Sequence, residues 1–84
     1  MELKDTISLM LSDKFEDRFK AEYWQTKIRY DKLHKWLVNH DAGNKSEPAH
    51  YDNEYIAMTR DQASKMGQYL YSMEVRASHL GIEL

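Results

Sequence analysis

From Ile56 to Leu80, the residues Ile56, Thr59, Ala63, Met66, Leu70, Met73, Ala77 and Leu80 recur at alternating steps of three and four. An earlier stretch keeps the same rhythm with Glu16, Phe19, Tyr23, Thr26, Tyr30, Leu33 and Leu37. Sustained 3/4 spacing puts each set on one narrow helical face, the pattern of a seam buried against another helix. Between the stretches, residues 42–52 gather Gly43, Asn44, Ser46 and Pro48, which break helices. The pattern therefore predicts an all-α fold: long helices over 13–41 and 53–81, joined by a loop over 42–52. Two equal rods with one connection make an antiparallel hairpin. At a rise of ~1.5 Å per residue, ~28 residues give rods of ~42 Å.

The ends carry their own signals. Asp13 followed by Glu16 resembles a capping box for the first long helix, and Asp52 or Asn53 suits the N-cap of the second. Gly43 and Gly81 can adopt the left-handed conformation that closes helices. Ahead of residue 13, Leu3, Ile7, Met10 and Leu11 stand at helical spacing and predict a short helix or arm over 1–12. So short an element is unstable alone, so it must dock on the long helices or on a neighbouring subunit. The whole of 1–84 reads as one helical domain.

The seams leave bulk unaccounted for. With Tyr30 at zero and ~100° per residue, Trp24 falls near 120°, Ile28 near 160° and Trp36 near 240°, away from the seam. Two helices also make a thin core for 84 residues. These apolar groups need a cover, from the arm or from a second copy, and a homo-oligomeric helical bundle is expected.

Composition narrows the class. Charged residues are 31%, with three Gly, one Pro and no Cys, which suits long helices and leaves no thiol or disulfide chemistry. No apolar run reaches the ~18 residues of a membrane span, and no secretory signal pattern is visible. The net charge of −2 argues against general nucleic-acid binding. The charge is nonetheless unevenly spread. Residues 18–36 carry Arg18, Lys20, Lys27, Arg29, Lys32 and Lys35 against Glu22 and Asp31, while both flanking regions are acidic. A basic helix between acidic ends can attract a small anion.

Candidate chemistry points to binding rather than turnover. His34, His40, His50 and His79 are scattered, with no metal-ligand spacing. There is no Gly-rich phosphate loop and no H-E-x-x-H or G-x-S-x-G motif. No catalytic residue, metal or cofactor is predicted. Lys20, Lys27 and His34 line one flank of the first long helix, with Arg18, Glu22, Arg29 and Trp36 on the other. Across the seam, Tyr69 and Arg76 share a flank of the second long helix. Arg forks onto phosphate, and Tyr or Trp stacks on a base. Lys20, Trp24, Lys27, Arg29, Tyr30, Tyr69 and Arg76 are thus the candidate ligand-binding residues. The alternative is plain packing. With the turn centred near residue 47, Lys20 faces Glu74 and Glu22 lies near Arg76, as interhelical ion pairs. Lys27 and Arg29 have no acidic partner in that register. Gly67 marks either close helix approach or room for a ligand.

Two stretches, Phe19-Lys20-Ala21-Glu22-Tyr23-Trp24-Gln25-Thr26-Lys27-Ile28-Arg29-Tyr30-Asp31-Lys32-Leu33-His34-Lys35 and Met66-Gly67-Gln68-Tyr69-Leu70-Tyr71-Ser72-Met73-Glu74-Val75-Arg76-Ala77, resemble a family of small helical proteins. That family occurs in phages and prophages and is named for a relative in a crAss-like phage. The resemblance covers about residues 13–84, including the ending Gly81-Ile82-Glu83-Leu84. It implies a virus-encoded accessory protein acting in a bacterial cytoplasm, with no catalytic motif to carry over. By analogy of size and architecture, the expected function is sequestration of a nucleotide-type immune messenger without cleavage, in pockets between subunits. The alternatives are a protein–protein inhibitor of a host defence factor, anchored by Trp24, Ile28 and Trp36, or a structural phage protein.

Overall fold

The computed structural model describes residues 1–43 and 51–84. A 3-10 turn over Leu3–Thr6 runs into a one-turn helix α1, Ile7–Met10. The long helices follow as α2, Phe15–Asp41, and α3, Asn53–Leu80. No strand occurs among the described residues, and the molecule extends 45 × 25 × 18 Å. The rods α2 and α3 pack on each other, and the arm of 3-10 turn and α1 packs on α2. The predicted loop over 42–52 falls largely outside the described residues.

The seam forms much as the spacing implies. Phe19, Tyr23 and Leu37 of α2 are buried, as are Ile56, Thr59, Ala63, Leu70, Met73 and Ala77 of α3. Thr26, Tyr30, Leu33 and Met66 are half-buried along the same line. Two expected seam members are not in it: Glu16 and Leu80 are exposed. The reason at the α3 end is the cap. Gly81 takes φ +73°, its N–H donates to Ser78 O, and the Ile82 N–H reaches back to Ala77 O at 2.8 Å. This is a Schellman closure, which folds the residue after the glycine onto the last turn. Ile82, not Leu80, therefore joins the core of Phe19, Tyr23, Leu70, Met73 and Ala77.

The α2 start also differs from expectation. Asp13 does not cap the helix. The Ser12 hydroxyl accepts from the Lys14 N–H and donates to Asp17, while the Ser12 carbonyl accepts from Arg18. Those bonds tie the arm's exit to the first turn and move the start to Phe15. At α3 the expected cap is present, with the Asp52 carboxylate accepting from the Tyr55 N–H at 2.8 Å.

The arm covers the back of α2. Thr6 is 1% exposed, donates to Leu3 O and accepts from Gln25 Nε2 at 3.1 Å. Ala21 on that side is buried, and Ile28 faces the cleft between α2 and the arm residues Met1 and Leu3. Trp36, placed far from the seam by the idealised wheel, meets Tyr51 and Tyr55 edge-on and stacks on His40. Trp24 packs edge-on to Tyr23. Each of the three apolar groups expected to need a cover thus receives a partial one within the chain.

Candidate functional site

The hairpin has two long edges, distinguished by the contacts across the seam. On one edge Tyr23 of α2 donates its hydroxyl to Glu74 of α3 at 2.6 Å. Further along it, Tyr30 lies against Gly67, and Arg60 forms a bidentate pair with Asp41 near the chain turn. On the other edge the Tyr69 hydroxyl of α3 donates to Glu22 of α2. Beside that bond Arg76 stands over the Phe19 ring at 5.1 Å, and Trp36 meets Tyr55 near the turn. Each helix thus sends one tyrosine to a carboxylate of the other.

These bonds replace the ion pairs predicted from the register. Glu74 takes Tyr23 rather than Lys20, and Glu22 takes Tyr69 rather than Arg76. The physical reason is order: a seam-edge phenol is held beside the opposing carboxylate by its own packing, whereas a long Lys or Arg gives up side-chain freedom for an exposed ion pair worth little. Burial, reinforced by the Glu74 bond, pushes the Tyr23 phenol up to about 12 from its ordinary 10.0. The Glu22 bond likewise raises Tyr69, with burial second. Arg60 holds Asp41 below the usual carboxylate range.

The seven candidate residues divide between the edges and do not converge within one chain. Lys20 and Lys27 lie on the Tyr23–Glu74 edge, with Trp24 one turn from Lys20. Tyr30 on that edge is half-buried and stacks on His34. Arg29, Tyr69 and Arg76 lie on the opposite edge. Lys27 is not without an acid: Asp31, one turn on, pairs with it at 3.0 Å. The partner lies on the same helix at i,i+4, where a register drawn across the seam does not reach. Arg29 is exposed and makes no ion pair or hydrogen bond among the described residues, and Lys20 makes none either. The question posed by Gly67 is answered by Tyr30. A Cβ at position 67 would meet the Tyr30 ring at 3.3 Å, so the missing side chain makes room for a phenol of α2.

Sequence reasoning passed over Tyr51 and Tyr55. Their rings stack at 4.5 Å and, with Trp36, Leu33 and Thr59, line an open cleft of about 200 Å³ at the turn end. Their i,i+4 spacing was a usable signal, but Tyr51 precedes the helix and its placement depends on the turn. Among the described residues no cluster of His, Asp and Glu could hold a metal ion, and no helix is long and apolar enough to cross a membrane.

No curated protein and no solved structure matches the chain. A family model does: the one described as Sequestin matches residues 13–79, from the segment leading into α2 to the last turn of α3. With α2, all but the last residue of α3 and the seam between them inside the match, the chain belongs to the Sequestin family.

Proposed function

We propose that this protein binds and sequesters a nucleotide-type immune messenger, a cyclic oligonucleotide or an ADP-ribose derivative, without cleaving it. In this reading it serves a phage as an anti-defence factor in the bacterial cytoplasm. The family's description suits a sequestering role. The observation that carries the ligand class is Arg29, an exposed guanidinium with no carboxylate partner among the described residues, while nearby Lys27 is neutralised by Asp31. A cation left unpaired on a helix edge with Tyr69 and Arg76 favours an anion that also carries an aromatic ring. Because Lys20 and Lys27 lie on the other edge, one pocket using both sets forms between copies, each copy supplying one edge. A homo-oligomer is part of the proposal for that reason. The reading as a protein–protein inhibitor loses ground because Trp24, Ile28 and Trp36, its intended anchors, are half-buried inside the chain.

Calorimetry with a panel of cyclic dinucleotides and ADP-ribose derivatives tests the proposal. Binding is expected, the ligand should be recovered intact after heat denaturation, and Arg29→Ala should weaken affinity about tenfold or more. Lys27→Ala should cost less, since Asp31 already shares that charge. If no member of the panel binds, the reading is wrong. A monomeric mass of 10.0 kDa in the bound state would remove the between-copy pocket.

A further inference from the structure

The turn end of the hairpin carries an aromatic cleft whose floor belongs to the seam and whose mouth stays open. Trp36 and Tyr51 are half-buried and Tyr55 is 44% exposed. The Tyr55 hydroxyl makes no hydrogen bond among the described residues; the ring meets Trp36 and Tyr51 only through its faces and edges. The deeper lining is Leu33 and Thr59, and the Thr59 hydroxyl is already bonded to Tyr55 O at 2.9 Å. Among the described residues the cleft therefore offers aromatic and apolar walls, with the Tyr55 hydroxyl left to meet a polar edge of whatever enters. Its volume of about 200 Å³ is below the ~300–1,000 Å³ of sites that enclose a whole drug-sized ligand, and suits a single ring system.

Its surroundings on α2 are cationic. Lys32 lies one turn before Trp36, and Arg29 is two turns before it on the same edge. Seven residues of helix span ~10.5 Å, so a ring in the cleft leaves a phosphate attached to its sugar within reach of Arg29. The apolar walls select a flat ring, and the basic run selects the anion tethered to it. We infer that the Trp36–Tyr51–Tyr55 cleft is the base-binding subsite, taking the nucleobase of the ligand while Arg29 takes its phosphate. This rests on the sequestering reading and adds to it the position and orientation of the ligand. Stacking and charge steering supply the affinity.

The chain has two tryptophans, so Trp24→Phe leaves Trp36 as the sole indole emitter. In that background, ADP-ribose and 3′,3′-cyclic di-AMP are titrated with two readouts on the same samples, calorimetric heat and Trp36 emission. The expected result is that a probe giving heat also changes Trp36 emission, with the same dissociation constant. Tyr55→Ala in the same background should weaken that probe about tenfold, the size of one lost stacking contact. Heat without any change in Trp36 emission overturns the subsite and leaves sequestration standing, and this readout needs no alteration of the cleft. The parent chain is titrated alongside, because Trp24 is itself a candidate contact. Heat from the parent but none from Trp24→Phe puts the base at Trp24 and overturns the subsite. No heat from the parent with either probe or the wider nucleotide panel removes the sequestering reading, and the subsite with it.

Discussion

Tyr23 shows how much one side chain does in a seam this narrow. It is 5% exposed, packs with Phe19, Leu70, Met73 and Ala77, and still delivers its hydroxyl to Glu74. Burial of the ring and satisfaction of the hydroxyl are usually in tension; the exposed Glu74 at the rim resolves it by accepting the proton side of the bond. Its pKa, raised to about 12, means the folded state holds the phenolic proton more tightly than the unfolded chain does. The stability this contributes is full below pH 10 and is lost as pH climbs from about 10 to about 12. Tyr23→Phe should cost about 1 kcal/mol at neutral pH and should abolish Tyr23's share of that alkaline slope. Urea melts of both proteins at pH 8 and pH 11 give the comparison. An equal loss of stability at the two pH values in the variant and the parent would refute the assignment.

At the scale of the elements, the helix ends decide where the seam stops. The 3/4 rhythm of α3 runs on to Leu80, and nothing in the periodicity says that Leu80 turns outward. The left-handed Gly81 does: it reverses the chain so that Ile82 fills the last seam position. Two substitutions separate the backbone effect from the packing effect. Gly81→Ala forces a side chain into φ +73°, at a cost of about 1 kcal/mol. Ile82→Ala removes a buried side chain at about 2 kcal/mol or more. Because the turn is what seats Ile82, the double variant should lose less than the sum, read from thermal melts of all four proteins. Strict additivity would mean that Ile82 finds its place without the Schellman turn.

For the whole molecule, the arm turns a hairpin into a three-layered body at one end. The 3-10 turn and α1 bury Thr6 and Ala21 on the back of α2, yet leave Ile7, Met10 and Leu11 exposed. Those contacts are local to α2, so α2 and α3 have a seam that does not depend on them. Removing residues 1–11 should therefore lower the melting temperature while leaving the far-UV signal per residue of the long helices in place. Circular dichroism and a thermal scan on the shortened chain check this. Collapse of the helical signal at 20 °C would show that the arm is needed for the hairpin itself.

The sequence by itself determined the two rods, the rough register and most of the seam, because helical periodicity and local caps are short-range properties. Asp52, Gly81 and the 3/4 spacing each act within a few residues of themselves. The residue partnerships were decided only in three dimensions. The Tyr23–Glu74 and Tyr69–Glu22 bonds, the seat of Tyr30 against Gly67 and the meeting of Trp36 with Tyr51 and Tyr55 link positions far apart in the chain. A wheel drawn for one straight helix assigned Trp36 to the far side, because it has no term for what the next helix brings to that edge. The same limit divided the candidate site. Charge and residue type marked Lys20, Lys27, Arg29, Tyr69 and Arg76, and helical spacing parted Lys20 and Lys27 from Arg29. Only the packing of α2 on α3 joined Arg29's edge to Tyr69 and Arg76 and left Arg29 unpaired among the described residues near an aromatic cleft.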